Sequence, residues 1–123
     1  MQCSPSSEQK VEEARESIEQ DIRKEKEEAA KELRELRDDI NNRMDILSQK
    51  IATASDNSKR ELEETRNELE EQRERVEESL NEVEKSSDEA WDDIKRRAKE
   101  TGDDVKLKFQ QLGERIDALF DKE

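Results

Sequence analysis

From Val11 onward the apolar positions fall into lanes eleven residues apart: Val11, Ile22, Leu33, Met44; Ala14, Leu36, Leu47; and Ile18, Ala29, Ile40, Ile51. One position interrupts the second lane, where Glu25 stands between Ala14 and Leu36. Eleven residues over three turns is about 3.67 per turn, the period of a straight or slightly right-handed helix. Steps of seven from Val11 reach Ile18 and then meet Glu25, Glu32 and Asp39. The spacing predicts one long amphipathic helix over 9–53 with a narrow apolar stripe.

Thr53-Ala54-Ser55-Asp56-Asn57-Ser58 predicts a break, because Ser, Thr, Asp and Asn side chains compete for backbone hydrogen bonds. Ser58 and Glu61 have capping-box spacing. The apolar phase also runs on from Ile51 to Leu62, which fits a helix continuous across 53–58. Beyond it the period becomes seven: Leu62, Leu69, Val76 and Val83, joined by Leu80. The second seam here is poor, with Thr65 or Arg66 and Gln72 or Arg73. A helix over 58–86 with so thin an apolar face needs a partner.

Ser86-Ser87-Asp88-Glu89 predicts a second break at 86–88 with a fresh helix start, through a Ser86/Glu89 capping box or through Ser87 or Asp88 alone. The last segment returns to steps of eleven: Ile94, Val105, Ile116 and Ala98, Phe109, Phe120, with Leu112 nearby. Trp91, Leu107 and Leu119 widen its stripe. Thr101-Gly102-Asp103-Asp104 predicts a kink or a third break at 101–104. Residues 1–8 read as a flexible tail, with Ser6 or Ser7 capping the first helix, and 9–123 as one elongated helical domain.

The fold class is therefore all-α, with long amphipathic helices forming a helical hairpin, elongated bundle or coiled coil. The nominated helix–helix interface comprises Ile18, Ile22, Leu33, Leu36, Ile40, Leu47 and Ile51 in the first helix. Leu62, Leu69, Val76, Leu80 and Val83 carry it in the second, and Trp91, Ile94, Val105, Phe109, Leu112, Ile116 and Phe120 in the last. Trp91 is the expected anchor, since no other side chain here buries as much apolar area.

Composition sharpens this picture. Of the 123 residues 50% are charged and 28% hydrophobic, too few apolar residues for a thick core. High charge with low hydrophobicity fits disorder or long helices, and the lanes decide for helices. Glu19–Arg23, Glu27–Lys31 and Asp39–Arg43 have the i,i+4 spacing of a solvated helix face, at about 0.2–0.5 kcal/mol per pair. Residues 89–123 hold 8 basic and 10 acidic side chains against 16 and 27 in the rest. The near-neutral, apolar C-terminal third is where docking or self-association is expected.

No chemistry of catalysis is legible. There is no His, no glycine-rich phosphate loop, and no base beside a nucleophile. The doublets Asp38-Asp39, Asp92-Asp93 and Asp103-Asp104 lack the alternating ligands and Gly turn of a calcium loop, so no metal or cofactor is expected. Lys95-Arg96-Arg97 with Lys99 is the one basic cluster, and Asp92–Arg96 and Asp93–Arg97 pairing explains it. A chain of net charge −13 repels phosphate, which excludes nucleic acid, and nothing forms a small-molecule substrate site. Self-association or another helical protein is the expected partner, with a membrane surface as the alternative.

The order of a Glu/Arg-rich helix, Glu61 to Glu82, followed by Ser86-Ser87-Asp88-Glu89-Ala90-Trp91-Asp92-Asp93-Ile94-Lys95, resembles a bacterial coiled-coil stress-response family over roughly residues 60–120. Where that family repeats an Ala-Trp pair downstream, this chain has Lys108-Phe109 and Leu119-Phe120. The resemblance implies a non-catalytic role in stress tolerance or envelope structure and brings no site residues. The eleven-residue lanes also resemble those of exchangeable lipid-binding and desiccation-tolerance proteins, which implies that Trp91 to Phe120 lies on surfaces. Cys3-Ser4-Pro5-Ser6-Ser7 is similar to a bacterial lipoprotein tether, which makes Cys3 a candidate lipidation site, although Gln2 is larger than the residue such sites prefer. As the chain stands, without a signal peptide, a cytoplasmic setting is expected; lipidation of Cys3 would imply the periplasm or envelope.

Overall fold

The computed structural model describes residues 5–121, and side chains over 17–119. Three helices succeed one another: α1 (Pro5–Thr53), α2 (Asp56–Lys85) and α3 (Trp91–Asp121). Among the described residues there is no strand. The molecule is an up-down-up bundle, and its cross-helix contacts fix the register. Arg66 donates to Ser48 at 3.3 Å, Arg73 to Asn41 at 3.1 Å and Arg34 to Glu84 at 2.8 Å, so α1 and α2 run antiparallel. Arg115 meets Glu68 at 2.7 Å and Arg75 meets Asp104 at 3.7 Å, so α2 and α3 do too. Helix α3 then lies parallel to α1, with the α1–α2 seam the most extensive and α1–α3 the least.

Helix α1 starts at Pro5, whose fixed φ and missing N–H suit the first turn. Pro5–Glu8 therefore belong to the helix and not to a tail; residues 1–4 lie outside the described residues. The first joint is only Ala54 and Ser55. Ser55 is the N-cap of α2, extended at φ −65° and ψ 160°, with no side-chain cap bond. The expected Ser58–Glu61 capping box does not form, because α2 has begun by Asp56, whose charge suits a helix N-terminus. At the second joint the Ser86 hydroxyl donates back to Val83 O at 2.9 Å, so it caps α2 and makes no box with Glu89. The Ser87 hydroxyl instead accepts the Ala90 N–H at 3.2 Å.

No break occurs at 101–104: α3 is continuous, and Gly102 does not take a positive φ. Glycine costs about 1 kcal/mol in a helix interior, whereas Ala98 and Val105, on either side, are both buried. Burial of that stripe carries the helix through.

The core is one continuous column from Ala30 to Leu119 along all three helices. Leu33, Leu36, Ile40, Leu47 and Ile51 of α1 meet Leu62, Leu69, Val76, Leu80 and Val83 of α2. Trp91, Val105, Leu112 and Ile116 complete it from α3. Fully burying a side chain of this kind stabilises by about 1.5–3 kcal/mol. Helix α2 fills its poor second seam with polar residues: Thr65, Gln72 and Ser79, seven apart, are all buried. Thr65 Oγ1 donates to Glu61 O at 2.9 Å, and Gln72 Oε1 accepts from Arg75 at 3.2 Å. No fully buried side-chain polar atom among the described residues lacks a partner.

Candidate helix-docking groove

The turn from α2 into α3 places Trp91 at the first position of its helix, 1% exposed, against α1. An indole taken this far from water must still satisfy its N–H. It donates to Glu25 Oε2 at 2.8 Å. Glu25 Oε1 also meets Lys95 Nζ at 3.0 Å. Lys26 sits 5.9 Å above the indole ring and ties the turn to α1, donating to Ser86 O at 2.9 Å and Asp88 Oδ1 at 3.1 Å. The indole N–H, and next the Lys95 ammonium, hold the Glu25 carboxyl below its ordinary pKa, against a smaller opposing effect of partial burial. Glu25 interrupts its apolar lane because the indole needs an acceptor there.

Beside this corner an open groove of about 500 Å³ lies between α1 and α3. Its floor is Ala29, Leu33, Leu36, Ala98 and Gly102. Glu25, Glu28 and Glu32 form the α1 rim, and Lys95, Lys99 and Lys106, with Asp103 among them, form the α3 rim. The rims carry opposite charge, yet only Glu25 and Lys95 pair across the groove among the described residues. A Cβ built on Gly102 would find nothing within 4 Å. Since Gly102 is helical without a positive φ, the backbone does not require glycine there. Its effect is to leave the groove unfilled.

The structure brings together most of the residues nominated from the stripes. Leu33, Leu36, Ile40, Leu47, Ile51, Leu62, Leu69, Val76, Leu80, Val83, Trp91, Val105, Leu112 and Ile116 are buried. Ile22, Ile94 and Phe109 are partly buried against them, with Arg43 stacked 5.9 Å over Phe109. Ile18 stands outside the core of the bundle: it is 58% exposed, because α1 has already passed the end of the bundle there. Leu107, also read as part of the stripe, is 57% exposed, while Leu119 is buried. The Phe120 side chain and Cys3 lie outside the described residues.

Sequence reasoning passed over Ala30 and Ser79, and left Thr65 and Gln72 as alternatives to Arg66 and Arg73 in a poor seam, whereas all four, with Ala98 of the α3 lane, are buried. The heptad spacing of Thr65, Gln72 and Ser79 was the available signal. The expected i,i+4 pairs Glu19–Arg23, Glu27–Lys31, Asp39–Arg43, Asp92–Arg96 and Asp93–Arg97 are not closed; Arg96 meets Asp93, one residue nearer, at 3.4 Å. Cations reach instead to neighbouring helices, as in Arg34–Glu84 at 2.8 Å. Among the described residues no cluster of three or more acidic side chains is placed to hold a metal ion. No described helix is long and apolar enough to cross a membrane. No protein-family model, curated protein or solved structure gives a significant match to this chain.

Proposed function

We propose that this protein is a non-enzymatic structural component, of the coiled-coil or stress-response kind, that works by helix–helix association. The observation that carries this reading is the fate of the apolar stripe. Over the bundle it is used up between the three helices, while α1 continues beyond the bundle for roughly five turns with the stripe still running, as the exposed Ile18 marks. A rigid charged rod with a protruding, partly apolar helix is suited to spacing and joining, and its opposed charged rims favour helices of matching pattern. The surface-binding alternative would use the α3 stripe. Apart from Leu107 that stripe is largely buried, with Trp91, Val105, Leu112 and Ile116 each at most 1% exposed, so a lipid surface would have to displace α1 and α2 from it.

Far-ultraviolet circular dichroism with and without vesicles separates the two. Association through helices requires full helicity in plain buffer, unchanged by anionic or zwitterionic vesicles. Helicity that develops only with lipid would overturn it in favour of surface binding.

A further inference from the structure

We infer that the α1–α3 groove receives the protruding start of α1 from a second copy of this chain, and that the exchange is reciprocal. The inference rests on the reading of helix association above and specifies its partner and site. Three observations point to this occupant.

The first is length. The lane from Val11 to Ile22 and the α1 side of the groove from Glu25 to Leu36 each span 12 residues, about 17 Å of helix. A two-fold axis crossing α1 near Lys24 would set Ile22 of one copy level with Lys26 of the other, and Ile18 level with Ala30. Each protruding helix would then lie antiparallel to its partner's α1, along the groove. Such a contact is isologous and closes on itself, so it stops at a dimer.

The second is continuity. The lane that α1 carries into its own core through Leu33 is the same lane, in steps of eleven, that leaves the bundle through Ile22. Insertion would extend the existing core by a fourth helix, over a floor where Gly102 leaves room.

The third is charge. In a right-handed helix laid antiparallel with its stripe on the floor, the flank with Glu19 turns toward α3 and that with Asp21 and Lys24 toward α1. Glu19 falls level with the α3 stretch between Lys95 and Lys99, while Lys24, on the axis, falls level with the second copy's Lys24 and within a turn of its Glu25 and Glu28. The Lys24 pair at the axis is adverse, and so is Asp21, facing Glu25 and Glu28. Asp21 is also exposed in the single chain, so replacing it reads the interface alone.

Sedimentation equilibrium on the full chain, with circular dichroism on the same samples, tests the inference. The wild type should show a concentration-dependent monomer–dimer equilibrium and no larger species. Ile18→Lys and Gly102→Leu should each weaken the dimer about tenfold or more, because symmetry places every substitution at two sites. Helicity should be unchanged, since Ile18 is exposed and a side chain at Gly102 points into open space. Glu19→Lys and Lys99→Glu should each weaken the dimer, the double variant should restore it, and Asp21→Lys should tighten it. A helical chain that stays monomeric at every concentration would overturn the inference and leave the wider association reading standing. So would a dimer indifferent to both Ile18→Lys and Gly102→Leu. A chain that is not helical in buffer would instead remove the association reading itself.

Discussion

Trp91 does two jobs with one side chain. Its rings fill the top of the core, and its N–H engages the carboxylate that also binds Lys95. The two contributions separate by substitution. Trp91→Ala removes both and should destabilise the chain by about 3–5 kcal/mol. Trp91→Phe keeps most of the apolar volume and removes the donor, and should cost about 1–2 kcal/mol. Urea unfolding, read by midpoint at constant slope, measures both. Equal losses would mean that the bond to Glu25, and not burial, dominates.

Glu25 adds a pH signature at the same corner. The charged groups around it are Lys95 on α3, Lys26 on its own helix, and Asp88 on the turn beyond Lys26. Its carboxyl is depressed in the folded chain, first by the indole N–H and then by Lys95. A depressed carboxyl binds fewer protons folded than unfolded. Its stabilisation is therefore present above the ordinary value near 4.5 and is lost as pH falls through the folded value. Glu25→Gln keeps an acceptor for the indole but does not titrate. The stability gap between wild type and Glu25→Gln should shrink as pH drops from about 6 to about 3. A gap constant over that window would show that protonation of Glu25 is not coupled to folding.

At the scale of the element, α2 depends most on its neighbours. Its heptad has aliphatic residues on one seam, Leu62, Leu69, Val76 and Val83, and polar ones on the other, Thr65, Gln72 and Ser79. The Thr65 hydroxyl bonds only to Glu61 O of its own helix, which offers α1 and α3 nothing. Thr65→Val keeps the branched shape and should raise stability by roughly 0.5–1 kcal/mol. A loss on thermal or urea unfolding would show that the hydroxyl is structurally required.

The three helices and most of their inward faces were legible, since an amphipathic stripe survives in sequence order. Their ends were less so. Ser58 satisfies a capping motif yet lies inside α2, and Thr101–Asp104 has the composition of a break yet stays helical because Ala98 and Val105 hold the stripe down. Local hydrogen-bonding preferences are weak beside tertiary burial, so they misplace a boundary by a turn. The groove was not legible. It exists because α3 returns beside α1 with small residues facing the gap, and one-dimensional spacing does not give the separation between helices. Glu25 is the intermediate case. Its misfit in an apolar lane was visible, but the reason for it, a tryptophan 66 positions away, needed the fold.

For the whole molecule the balance of charge decides how salt acts. The cross-helix ion pairs are partly exposed: in Arg34–Glu84 the side chains are 51% and 48% accessible, in Arg75–Asp104 45% and 69%. Exposed pairs contribute about 0–1 kcal/mol each and are screened by salt. Against them stands a net charge of −13, concentrated in α1 and α2, the two helices with the most extensive seam. Repulsion between those rods acts over the Debye length, about 30 Å at 0.01 M salt and about 10 Å at 0.1 M. Helix α1 is itself about 70 Å long, so at low salt many like charges act on one another at once. Screening should therefore remove more repulsion than attraction. Raising sodium chloride from about 0.01 M to about 0.2 M, at one low protein concentration, should raise the melting temperature by roughly 2–8 °C. Chloride is the right anion for this, because sulfate would also strengthen apolar burial and confuse the sign. A fall in melting temperature would mean that the pairs bridging the helices outweigh the net charge, and that the bundle depends on its surface more than on the thin column inside it.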